Sequence, residues 1–150
     1  MRKLDVVTRL FGRDRSPTQV GREHQRHLAS VYASLCGRSE VVRFLLESRV
    51  DVSAQDGHGQ SALHYAALGG YVDMIKLLIA RGAPLELKNV WGGTVLGQAT
   101  WGVMNEKAGP DYVGVIQTLL EAGAMVEEAD YPTGDAHIED MLRRHGAHSD

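Results

Sequence analysis

A 33-residue rhythm constrains this chain more than any other feature. Residues 56–88 read DGHGQSALHYAALGGYVDMIKLLIARGAPLELK. Shifted back by 33, Tyr65 falls on Tyr32, Ala66 on Ala33, Leu68 on Leu35, Gly70 on Gly37 and Leu78 on Leu45. Shifted forward by 33, Gly59 falls on Gly92, Ser61 on Thr94, Leu63 on Leu96, Ala66 on Ala99 and Gly69 on Gly102. The register then slips to 41. Tyr71, Val72, Ile75, Leu78, Gly82 and Ala83 recur as Tyr112, Val113, Ile116, Leu119, Gly123 and Ala124. The third unit therefore carries eight extra residues, Val103–Pro110, whose Gly and Pro suit a surface loop. Units at 23–55, 56–88 and 89–129 leave 22 residues before and 21 after. The rhythm accounts for much of the glycine, 17 of 150 residues, where ~7% is ordinary.

Each unit reads as two short helices. Ser61 caps a helix whose first turn holds Leu63, and Gly69-Gly70 ends it. A second helix starts near Val72 or Asp73. Its Val72, Ile75, Leu78 and Ile79 form one apolar stripe before Gly82 stops it. Pro84–Leu87 is extended, and Asp56-Gly57-His58-Gly59 is a turn. Two helices this short cannot bury their own apolar faces, so the units must stack. The expected fold is an all-α solenoid of helix–turn–helix pairs joined by β-turn or hairpin connections.

The motif Ser61-Ala62-Leu63-His64-Tyr65-Ala66-Ala67 resembles the T-P-L-H-x-A-A signature of ankyrin repeats, and Gly82-Ala83-Pro84-Leu85 resembles their G-A-D-V segment. The period is also theirs. The signature Pro is Ala62 here and Val95 in the third unit. Its His is Val31 in the first and Gly97 in the third. The Ser/Thr–His contact implied by the resemblance is therefore expected in the second unit alone. Both ends look like partial repeats. Asp5-Val6-Val7 with Leu10-Phe11 resembles a lone outer helix, and Thr133–Ala147 resembles an outer helix with its closing Gly-Ala. Segments 1–22 and 130–150 are thus expected to cap the stack. A chain cut from a longer protein is the competing reading.

Candidate chemistry is sparse. Ser61 and His64 suggest a nucleophile and base, but no third group or oxyanion turn accompanies them, and a bracing role for His64 is expected. Gly69-Gly70 and Gly92-Gly93 are turn glycines rather than a phosphate loop. His24/His27 and His145/His148 lie near opposite ends and make no convergent metal set. Cys36 replaces a turn glycine and has no disulfide partner in the chain. Glu127, Glu128 and Asp130 read as a solvated acidic face. No catalytic residues, cofactor or metal are expected.

The aromatic pattern is more informative. Both tryptophans lie in the third unit, ten residues apart. The resemblance implies a concave face of turn tips and inner-helix ends that grips partners. By register that face holds His24, Gln25, His27, Leu35 and Cys36, then Gly57, His58, Gln60, Leu68 and Gly69. In the third unit it holds Val90, Trp91, Gly93, Trp101 and Gly102. Trp91 takes the tip place of His58, and Trp101 the helix-end place of Leu68. Tryptophan is enriched at binding hot spots. Packing of Trp101 under the insertion and of Trp91 on the next turn is the plainer alternative.

Charge adds a second asymmetry. Residues 1–27 carry seven Lys or Arg against three Asp or Glu, a net of +4; residues 28–150 carry nine against sixteen, a net of −7. A basic arm without interleaved aromatics is weak ground for nucleic-acid binding. No apolar run approaches the ~20 residues that span a bilayer. The expectation is a monomeric, cytoplasmic module that binds another protein or domain through His58, Gln60, Leu68, Trp91 and Trp101. A regulatory or scaffolding segment of a larger enzyme is the alternative, and catalysis by the module itself is disfavoured.

Overall fold

In a computed structural model, the described residues are 19–105, 111–127, 130 and 132–146, with the side chains of 19–24 left out. The basic arm before residue 19, the rest of the insertion at 106–110, Glu128 and His148 lie outside them. Seven helices occur among the described residues: α1 Gln19–Leu35, α2 Ser39–Glu47, α3 Ala62–Gly69, α4 Val72–Ala80, α5 Val95–Asn105, α6 Tyr112–Glu121 and α7 Ala136–Gly146. The inner helices α1, α3 and α5 stack in sequence. The outer helices α2, α4, α6 and α7 form the second layer. Register-equivalent positions Val42, Ile75 and Ile116 are fully buried, as are Leu78 and Leu119, with Leu45 almost so. The 33-residue pattern is thus an apolar seam between layers. The fold is an all-α repeat solenoid.

Local chemistry sets the helix ends. The Ser61 side chain accepts from the His64 amide, and the His64 ring receives the Ser61 amide, a reciprocal box that opens α3. Gly70, at φ 72°, closes it in the left-handed conformation. Asp111 Oδ1 caps α6 by accepting from the Gly114 amide at 2.8 Å. Asp135 Oδ1 does the same for α7 with the amides of His137 and Ile138. Helix α7 lies on α6 and buries Ile138 and Leu142 there, so it acts as an outer helix.

Three features depart from the sequence expectation. Helix α1 begins at Gln19 and runs through residues 23–26, so the first unit has no turn tip at His24 and Gln25. Glu23 and Arg26 stand there in place of Asp56 and Gly59, which removes both the short side-chain acceptor and the left-handed glycine. Helix α5 continues to Asn105, into the expected insertion, because Val103 occupies the register place of Gly70. Asp130 is not a solvated acid. It is 1% exposed and accepts from the Glu127 amide at 2.7 Å. Burial pushes its carboxyl up, against the opposing pull of that amide.

Candidate functional site

Two hairpins project beside the inner helices, and a carboxylate or carboxamide organises each. Asp56 Oδ1 accepts from the amides of His58 and Gln60 at 2.9 and 3.0 Å. Its Oδ2 accepts from the Tyr65 hydroxyl at 2.6 Å. Burial works against ionisation of Asp56, but the Tyr65 hydroxyl and the two amides outweigh it and hold the carboxyl below its ordinary range. One unit later, Asn89 Oδ1 accepts from the amides of Trp91 and Gly93 at 3.1 and 2.8 Å. The Asn89 amine then donates to Gln60 Oε1 at 3.3 Å and Gln98 Oε1 at 3.2 Å.

The hairpins are also tied to each other. The Val90 amide donates to His58 O at 3.0 Å, and Gln55 Nε2 bridges Gly59 O and Lys88 O. A Cβ on Gly59 would meet the Asn89 backbone at 2.9 Å, so only glycine allows this approach. His64 fastens the pair from below. Its Nδ1 accepts from the Ser61 amide and its Nε2 donates to Gly93 O at 3.2 Å. Burial holds its imidazole below the ordinary range, consistent with a neutral bracing ring.

These ties produce a cleft of about 560 Å³ between the second and third units. Gln60, Leu68, Trp91, Gln98, Trp101 and Met104 line it. Trp91 is 71% exposed and stacks on His58, with ring centroids 5.8 Å apart and planes 9° from parallel. Trp101 is 51% exposed. The Tyr112 hydroxyl donates to Leu68 O at 2.9 Å and steadies the wall that Leu68 forms.

Four of the five residues chosen from sequence line this cleft, and His58 joins them through its stack on Trp91. Gln60 departs from the expectation of a surface contact. It is 6% exposed, and its oxygen is already held by Asn89. Neither tryptophan is packed away. In the first unit, Leu35 and Cys36 are exposed, and His27 accepts from the Asp51 amide at 2.8 Å. Sequence reasoning missed Asn89, Gln98 and Met104. Asn89 was within reach, since it stands 33 residues after Asp56 and needs the same short acceptor.

A family profile described as ankyrin repeats (many copies) matches residues 31–79. The chain is an ankyrin-repeat protein. It is 35% identical over 95 residues to an L-asparaginase of Dirofilaria immitis, covering 63% of this chain and 15% of that protein. It is 35% identical over 101 residues to the E3 ubiquitin-protein ligase hecd-1 of Caenorhabditis elegans, covering 67% of this chain and 4% of the ligase. It is 36% identical over 61 residues to ankyrin repeat domain-containing protein 29 of Homo sapiens, covering 40% of this chain and 20% of the relative. The chain thus spans a fifth or less of the length of these relatives. Ankyrin repeats are in general protein-interaction modules. Among the described residues no helix is long and apolar enough to cross a membrane.

Proposed function

We propose that this ankyrin-repeat chain docks a segment of another protein, or of another domain, in the cleft between its second and third repeats. The carrying observation is the pair of exposed tryptophans on a braced frame, Trp91 stacked on His58 and Trp101 on α5. Exposed indoles lose little side-chain entropy on docking when their backbone is already held, so more of the buried area becomes affinity. His58, Leu68, Trp91, Trp101 and Met104 make the contact, and Gln60 works from the floor.

Quantitative mass spectrometry of proteins retained from native lysate tests this. Material held by the unaltered chain should be lost with Trp91→Ala and Trp101→Ala, each weakening capture by about tenfold or more. Circular dichroism should stay unchanged. Retention equal to that of the unaltered chain would place the binding surface elsewhere. The small share of each relative that the chain spans supports a second reading, in which the docked segment belongs to a larger protein carrying these repeats.

A further inference from the structure

The polarity of the cleft points to the chemistry of what it holds, given that docking occurs there. Asn89 Oδ1 accepts two backbone amides, so the other end of that carboxamide must be its amine. The amine donates to Gln60 and Gln98, so both glutamines must turn their oxygens toward it. Each glutamine is left with its own amine, and neither amine has a protein acceptor among the described residues. One of the two side chains, Gln60, is more than nine-tenths buried. The cleft therefore offers two oriented donors beside Leu68, Trp91, Trp101 and Met104.

Charge narrows the class further. Among the described residues no charged side chain lines the cleft. The stretch of α1 after Leu28, all of α3 and all of α5 carry no Asp, Glu, Lys or Arg. A buried Lys or Arg of the partner would find no carboxylate in the lining. A partner carboxylate would find no cation among the described lining residues, on a repeat body of net charge −7. The net charge of the body therefore does not describe its cleft. Neutral acceptors fit, and an extended peptide supplies them as backbone carbonyls, whereas a helix has most of its carbonyls already engaged.

We propose that the cleft takes an extended, uncharged peptide segment of a partner protein, anchored by a large apolar side chain against Trp91 and Trp101, with backbone carbonyls accepting from Gln60 and Gln98. This rests on the docking reading above.

A phage-displayed random dodecapeptide library panned on the full chain tests it. A synthetic copy of the most enriched peptide is then titrated against the unaltered chain, Gln98→Glu and Trp101→Ala, with folding followed by circular dichroism. Gln98→Glu keeps the oxygen that faces Asn89 and replaces the amine by a second oxygen. Enriched peptides should share a large apolar residue within a stretch free of Asp, Glu, Lys and Arg. Affinity should fall about tenfold or more in both variants. Charged consensus peptides, unchanged affinity on Gln98→Glu, or no enrichment at all would each overturn the proposed peptide chemistry. If affinity still falls on Trp101→Ala, docking at the cleft stands without it. Indifference to both variants overturns docking there as well.

Discussion

Removing the Asn89 side chain should loosen the hairpin and the cleft together. Asn89 is 8% exposed and its side chain makes four hydrogen bonds, two accepted from Trp91 and Gly93 amides and two donated to Gln60 and Gln98. In Asn89→Ala all four partners lose a protein contact. A satisfied hydrogen bond contributes about 1 kcal/mol net, and a buried group left unpaired costs about 1–3 kcal/mol. Trp91 sits at an exposed tip and Gln98 lines an open cleft, so water replaces those contacts cheaply. Gln60 and Gly93 are more enclosed and carry most of the loss. The expected destabilisation is about 2–3 kcal/mol, a fall in thermal midpoint of roughly 5–10 °C. Asn89→Asp should cost under about 1 kcal/mol. Asp56 already serves two backbone amides in this way one repeat earlier, and the glutamines can rotate to present amines. Thermal and urea unfolding of the three proteins checks this. An alanine cost below about 0.5 kcal/mol, or equal costs for alanine and aspartate, would refute the bracing argument.

Three other outcomes are expected. The folded chain disfavours protonated His64, so the unfolded chain binds that proton first. The contribution of the neutral ring is full above about pH 6.5 and is lost as pH falls below it toward the depressed folded value. Urea midpoints should therefore drop from about pH 7.5 to about pH 5, less so in His64→Gln; an equal drop in both would exclude His64 as the source. Gly102→Ala should destabilise by about 1–3 kcal/mol even though alanine favours helix. A Cβ there would lie 2.6 Å from the buried Tyr112 ring, whose hydroxyl bonds Leu68 O. A raised unfolding midpoint would overturn that. Trp91→Ala should shift stability by no more than about 0.5 kcal/mol, since the indole is mostly in solvent; a larger loss in urea unfolding would make it a structural residue.

The 33-residue period, the apolar seam and the Ser61 cap follow from residue spacing, because helix ends and stripes are local properties. So does the outer-helix character of residues 136–146, and so does the company of Leu68, Trp91 and Trp101. Those three are equivalent to one another, or neighbours, once the units are in register. The long start of α1 and the run of α5 into the insertion were not read from residue spacing, although Glu23, Arg26 and Val103 stand at places where a turn needs Asp or Gly. Spacing alone could not rank a missing turn residue against the neighbouring helix that stacks on it.

Composition and order determined that this chain is a stack of ankyrin repeats with no charge along most of its inner helices. Tertiary structure decided which polar groups are spoken for. Asp130 reads as one acid among several and is buried. Gln60 reads as a surface contact and is held on the floor of the cleft. The amines are the ends that Gln60 and Gln98 have left to offer, because Asn89, 29 residues from one and nine from the other, fixes their oxygens. A carboxamide has two chemically opposite ends, and only its neighbours in space determine which one it presents.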